Sequence, residues 1–185
     1  MALDDGSAVE PGIAHFFYAP ANTAAPTTAA VLALTSTNPT LTGYTNLGHT
    51  SLENDTAPFV EGGESTIRGS RQKPQLRESV AATVRGMDLS SIQTTSEILT
   101  FFYGGGTVYD GYYEPPTVAT PQQRAFLAVY FDGTEVIAEH RPLVSIRANG
   151  AYRNAASGWF EWPLRVTYLT GSTADRWIGE MFDAP

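Results

Sequence analysis

AFLAVYFDGTEVIAEH, residues 125–140, decides the fold class. Residues 125–131 form a continuous apolar run of strand length, and a second such run covers 134–140 after Asp132-Gly133. Asp-Gly between two such runs is a strong hairpin signal, because both central residues of a type I′ turn need positive φ. Working outward, Leu143 to Ala148 and Trp159 to Leu169 supply further strands, with Trp162, Leu164, Val166 and Tyr168 sharing a face. Pro163 marks the latter as an edge strand or one that starts late, since proline cannot donate to a ladder. Ile13, His15 and Phe17 alternate with Ala14, Phe16 and Tyr18, which gives a first strand apolar on both faces and therefore covered on both. Period-two alternation throughout predicts a mainly β protein: a β-sandwich or partly closed barrel of antiparallel strands with one flanking α-helix.

That helix is expected over 94–103. Thr94 and Glu97 have the spacing of a capping box, Ile98, Leu99, Phe102 and Tyr103 make an apolar stripe, and Gly104-Gly105-Gly106 stops it. Between 19 and 42 the chain is rich in Ala, Thr and Pro without a sustained period, so it reads as an extended connection in which Val31, Leu32 and Leu34 add a short edge piece. Val80, Ala82 and Val84 alternate with Ser79, Thr83 and Arg85 as a half-buried strand requires.

Composition bounds the function. With 185 residues of which 42% are hydrophobic, one domain with a sizeable core is the default. Cysteine is absent, which excludes a disulfide framework, a thiolate metal site and a Cys nucleophile. The first residues lack the basic and apolar regions of a signal peptide, and no run approaches a membrane span. A formal charge of -8 opposes the basic footprint of a nucleic-acid reader. Arg outnumbers Lys ten to one, a bias that carries no functional argument.

Catalytic sets are missing. His15, His49 and His140 are too scattered for a zinc centre, and no G-x-S-x-G elbow exposes a serine. Glu135 and Glu139 share a strand face about 13 Å apart, outside the range of glycosidic carboxylate pairs, and read as a solvated face. Tyr109, Tyr112 and Tyr113 beside Asp110 and Glu114 read as a packed turn, with sugar stacking as the alternative. Gly104 to Gly106 follows a helix, whereas a phosphate-binding loop precedes one. Asn54-Asp55-Thr56 matches a glycosylation acceptor that no secretion signal serves. No cofactor, metal or enzymatic activity is expected.

What needs explaining is a polar segment of 51–75 with two prolines, a Gly-Gly pair and mixed charges. Loops this long without a core of their own are uncommon and usually functional. Its first twenty-four residues, 51–74, reach about 80 Å extended or about 40 Å as a hairpin, against a radius of gyration near 16 Å for a domain of this size. The segment can therefore touch a neighbour, with Glu61, Glu64, Arg68, Arg71, Lys73 and Arg77 supplying both signs of charge to set register.

The chain resembles the major tail tube proteins of long, non-contractile bacteriophage tails. The resemblance rests on Asn46-Leu47-Gly48-His49-Thr50-Ser51, Glu61-Gly62-Gly63-Glu64, Ile67-Arg68-Gly69-Ser70 and Leu76-Arg77-Glu78, followed by the 96–104 helix ending in Phe-Tyr-Gly-Gly and preceded by Met-Ala-Leu-Asp-Asp at the start. It implies a single tail tube domain over 1–185 without an additional immunoglobulin-like C-terminal domain. It further implies a structural virion protein, made and assembled in the host cytoplasm, whose hexameric rings stack into a tube for DNA ejection. Implied partners are copies of itself, a tape measure protein, and tip and terminator proteins; DNA would pass through the lumen without specific binding, and no membrane is involved. Segments 1–11 and 175–185 are expected to order against neighbours, as is the arm. A carbohydrate-binding β-sandwich and a capsid decoration or head-tail joining protein stay open as alternatives.

Overall fold

A computed structural model describes residues 10–182 except 55, 76, 134, 155 and 157, with the side chain of Met181 also left out. Of the expected 1–11 segment all but Glu10 and Pro11 lies outside the described residues, as do Leu76 and, of the expected 175–185 segment, 183–185; the rest of the latter is described. The elements in chain order are β1 (Ile13–Pro20), α1 (Thr28–Leu32), β2 (Thr45–Asn46), β3 (Ala57–Gly62), β4 (Ser65–Arg68), β5 (Arg77–Val80), β6 (Thr83–Ser91), α2 (Ser96–Tyr103), β7 (Thr107–Tyr109), β8 (Tyr112–Glu114), β9 (Gln122–Asp132), β10 (Glu135–Ala148), β11 (Arg153–Asn154), β12 (Phe160–Tyr168) and β13 (Arg176–Gly179). A 3-10 turn, Glu180–Phe182, follows.

One antiparallel sheet in the order β2-β1-β9-β10-β12-β6-β3 forms the body, with β11 added beside β12 and β13 beside β10. It has two ends and does not close into a barrel. The mainly β expectation holds, and the 125–140 hairpin is its centre: β9 pairs with β10 from Asp132↔Glu135 onward, with Gly133 the first of the two linking residues.

Both faces of this sheet are covered, because Phe16 and Phe17 of β1 enter opposite cores. On one face Phe16, Phe126, Ala128, Leu164 and Val166 pack with Ile98 and Phe101 of α2. On the other, Phe17, Leu127, Val129 and Phe131 pack with Val31 and Leu34. The expected edge piece at 31–34 is thus the end of a short helix, α1, and the residues that follow it, and the described residues form two α-helices rather than one. Thr27 caps it, accepting a hydrogen bond from Ala30 N–H at 3.3 Å, and the value of the turn lies in seating Val31 in the core rather than in helix propensity.

β10 serves both cores by changing parity. Up to His140 its even residues, Val136 and Ala138, face the α1 side; after Pro142 the even residues Val144 and Ile146 face α2. The cause is a bulge. Arg141 pairs with Phe126 and Val144 with Arg124, so two residues of β10 oppose one of β9 and every later side chain switches face. The two strands expected at 134–140 and 143–148 are one, and Pro142 sits where no ladder bond is required. Pro163 is likewise tolerated inside the sheet: β12 pairs with β6 on one side and β10 on the other, so it is an interior strand and not an edge. Its ladder to β10 begins only at Leu164, and Pro163 contributes a carbonyl that accepts from Asn149 N–H at 2.9 Å.

α2 begins one residue later than the capping box predicts. Thr95 is the cap, accepting from Ile98 N–H at 3.3 Å, while Thr94 Oγ1 accepts instead from the Trp162 indole N–H at 3.1 Å. Glu97 sits in the first turn with its carboxyl held below the usual range by backbone N–H and Ser96 hydroxyl hydrogen bonds. Gly104 ends the helix at φ 72°, where its N–H returns to the Thr100 carbonyl.

Candidate functional site

The 51–75 segment is not a loop. β3 pairs with β6 along the sheet edge from Ala57↔Asp88 to Gly62↔Thr83, and β4 with β5 from Ser65↔Val80 to Arg68↔Arg77. The two ladders follow one another as a single ribbon, interrupted at Gly63-Glu64 and Ala81-Ala82, with Ala81 N–H to the Glu64 carbonyl bridging the break at 2.9 Å. Only glycine fits at 62. Its φ is +82° and a Cβ there would meet the Ala82 carbonyl oxygen at 2.4 Å.

Nearly every described residue from 57 to 85 is exposed. The strand expected half-buried at 79–85 is therefore two strands, and the apolar face of Val80, Ala82 and Val84 meets solvent; burial starts at Gly86. Ile67 (56% exposed), Val80 (65%) and Val60 (65%) are apolar side chains held in water by a ribbon that has no core. Register places Ile67, Glu78, Ser65 and Val80 on one ribbon face, with Ile67 and Val80 diagonal neighbours.

The six residues predicted from sequence separate into a base and a tip. Glu61 at the base is already engaged: its carboxylate accepts from Arg165 Nη1 at 2.9 Å, while Arg165 also grips Asp88 in a fork at 2.9 and 3.1 Å and lies 4.2 Å over the Phe59 ring. The Asp88 hydrogen bonds come first among the causes that raise the Arg165 pKa. This node ties the ribbon base to β12. Glu64 stands at the break, and Arg68 and Arg77 are directly opposed in the ladder, where like charges repel. Arg71 and Lys73 lie in the connection between β4 and β5. Residues 68–77 thus hold four cations and no acid, so the remainder of the chain carries -8 - 4 = -12.

Beside the ribbon base, the sheet face covered by α2 at one end lies open at the other. Pro11, Pro58, Val60, Arg85, Met87, Tyr130, Ile137, Tyr168 and Trp177 line a predominantly apolar groove of about 390 Å³. Its polar wall is Arg141, which pairs with Glu139 and Asp175 and stacks 4.3 Å from the Tyr168 ring. Glu139, expected on a solvated face, is buried by this arrangement and also accepts from the Tyr168 hydroxyl at 3.3 Å. Arg85 has no ion-pair partner among the described residues.

The remaining candidates resolve structurally. His15 Nε2 meets the Ser36 carbonyl at 2.9 Å, His49 is exposed and His140 is fully buried, so the three histidines do not converge. The tyrosine cluster is a hairpin, β7-β8, turned by Asp110-Gly111, a second Asp-Gly signal that the sequence analysis passed over. Tyr109 and Tyr112 stack on each other at 4.7 Å, and Tyr113 donates to the Gly105 carbonyl. Asn54, in the glycosylation triplet, donates to Glu161 at 2.7 Å beside Ser51 at 2.5 Å. No group of acids and histidines among the described residues could hold a metal ion, and no described helix is long and apolar enough to cross a membrane.

The geometry is thus that of an antiparallel sheet with a core on each face and an exposed ribbon at its edge. The chain belongs to the phage tail tube protein family, whose model it matches over residues 1–185. It is similar to the major tail protein Gp23 of Mycobacterium phage L5, 29% identical over 196 residues that cover 100% of this chain and 98% of that one. It is also similar to the major tail protein Gp23 of Mycobacterium phage D29, 29% identical across 91% of this chain and 88% of that one. The family makes it a structural component of a phage tail, and so of the virion.

Proposed function

We propose that this protein forms the wall of the tail tube as stacked hexameric rings through which DNA is delivered to the host. The carrying observation is the ribbon of β3 to β6. An isolated two-stranded ribbon is marginal in water, and this one exposes Ile67 and Val80 and opposes Arg68 to Arg77. It is a reasonable element only if neighbouring copies cover it. Glu64, Arg68, Arg71, Lys73 and Arg77 are the contact residues, with Glu61 serving first to anchor the ribbon base. Residues 1–185 act as one tail tube domain in this reading.

Acidity suits the lumen. Six copies would carry 6 × (-8) = -48 formal charges, and repulsion of phosphates acts over about 8 Å at physiological salt, so a duplex would slide without sticking. Head-to-tail stacking is a heterologous contact that propagates as a filament. A tip protein would nucleate it, and tape measure and terminator proteins would set and close its length.

Negative-stain electron microscopy of the purified protein across a concentration and salt series tests the reading. Hollow tubes or stacked six-fold rings are expected. Compact monomers under all conditions, including after addition of tail tip complexes, would overturn it, and rings without stacking would favour a head-tail joining role.

A further inference from the structure

We infer that the open apolar groove is the receptor for the ribbon of a second copy, laid in one orientation fixed by charge. This rests on the self-assembly reading above and names the surface that reading needs. Three observations support it.

The first is apolar match. The ribbon presents Ile67 and Val80 side by side on one face, and the groove offers Pro58, Val60, Ile137 and a Trp177 that is 53% exposed. Both surfaces are uncovered in the single chain, and joining them removes both from water.

The second is polarity along the ribbon. Its basic end is 68–77 with four cations, Glu78 sits one pair inside that end opposite Ile67, and Glu64 stands at the inner end beyond Ser65. The groove has the same polarity reversed. Ile137 on its floor pairs with Tyr130 and Gly179, and one strand step further along that end stand Asp132, its pairing partner Glu135, and Glu180 after Gly179; Glu10 joins them through its N–H to Asp132 at 2.8 Å. The opposite end is Arg85, beside Val60. A ribbon lying tip toward Glu10, Asp132, Glu135 and Glu180 sets cations against acids at one end and Glu64 against Arg85 at the other. The reversed placement would put like charges together at both ends.

The third is topology. Ribbon and groove are different surfaces of one chain, so their pairing is heterologous and leaves each new copy with a free ribbon and a free groove. Such a contact propagates without a second kind of subunit.

The absence of cysteine makes the test direct. Single-cysteine chains Lys73→Cys and Glu135→Cys, mixed under mild oxidation, should give a disulfide-linked dimer in several-fold excess over a control mixture of Lys73→Cys with the exposed Leu52→Cys, and 1 M salt should suppress the difference. Arg71→Glu with Lys73→Glu should block association, and Glu135→Lys with Glu180→Lys should restore it in the mixed sample. Equal linking to the control site overturns the proposal. So does an intrachain disulfide without dimer in a chain carrying both cysteines, which would place the ribbon in its own groove. Tubes that assemble unaffected by tip charge reversal would overturn it while leaving the tube reading intact; specific linking without tubes or rings would do the reverse.

Discussion

The sheet body and the ribbon are built from the same antiparallel pairing and differ in what their side chains touch. In the body, successive residues of β9 such as Phe126 and Leu127 are both buried, one in each core. In the ribbon, residues of equal β propensity such as Ile67 and Val80 stand in water. Backbone hydrogen bonds alone hold neither region, since each contributes only about 1 kcal/mol net; burial separates a stable body from a ribbon that waits for a partner. The difference shows that strand formation and strand stabilisation are distinct steps, and within this chain only the body completes the second.

The largest effect that would break this comparison lies in the body. Phe17→Ala removes a fully buried ring facing Val31, Leu127 and Val129 and should lower unfolding free energy by about 3–5 kcal/mol, measured by urea denaturation. A loss under about 1 kcal/mol would mean that the α1 face is not a packed core.

Acid should act at an intermediate level, and again only on the body. Burial pushes the His140 ring below its ordinary pKa of 6.5, with Arg176 and Arg141 acting in the same direction while the Thr23 backbone and Asp175 oppose it. Glu161 is held below 4.5, first by the Ser51 hydroxyl and then by Asn54 and Arg153. A base with a depressed native pKa must take up a proton on unfolding, so stability is full above about pH 6.5 and declines as the pH falls below it. The depressed carboxyl adds a second decline as the pH drops below 4.5 toward its native value. The midpoint of urea unfolding should therefore fall in two stages between pH 8 and pH 3, and His140→Leu should abolish the upper one. A profile flat from pH 8 to pH 5 would show that the ring titrates in the fold as it does in the unfolded chain.

The smallest effect belongs to the ribbon. Ile67→Ser with Val80→Ser should change monomer stability by under about 0.5 kcal/mol each, as surface substitutions do, while lowering any self-association seen by sedimentation. A cooperative loss of stability in the monomer would place these side chains against the body and erase the contrast.

What could be read from sequence follows the same division. The β1 and β9 strands were legible because both of their faces carry apolar residues, which is a strong local signal. The 57–85 ribbon was legible only as an unusual segment, since neither its composition nor its charges announce pairing, and its alternation at Val80, Ala82 and Val84 suggests a burial that the single chain does not provide. Parity inversion in β10 was hidden because a bulge is a relation between two strands. Pro142 marks the place, but only the unequal spacing of Arg141↔Phe126 and Val144↔Arg124 reveals the extra residue. Of the contact residues, charge alone identified the cationic tip, and nothing local predicted that Arg165, about a hundred residues away, engages Glu61. The groove was invisible to sequence, because it is a region of sheet left bare by a helix that ends too soon.

The break at Gly63-Glu64 opposite Ala81-Ala82 gives the ribbon a joint between an anchored half and a free half. In a wall made of such subunits, curvature can be taken up by small rotations at each joint while the sheet bodies stay undistorted. The tube would then be stiff against crushing and compliant in bending, a mechanical property set by the four residues of the break and independent of how tightly the subunits hold one another.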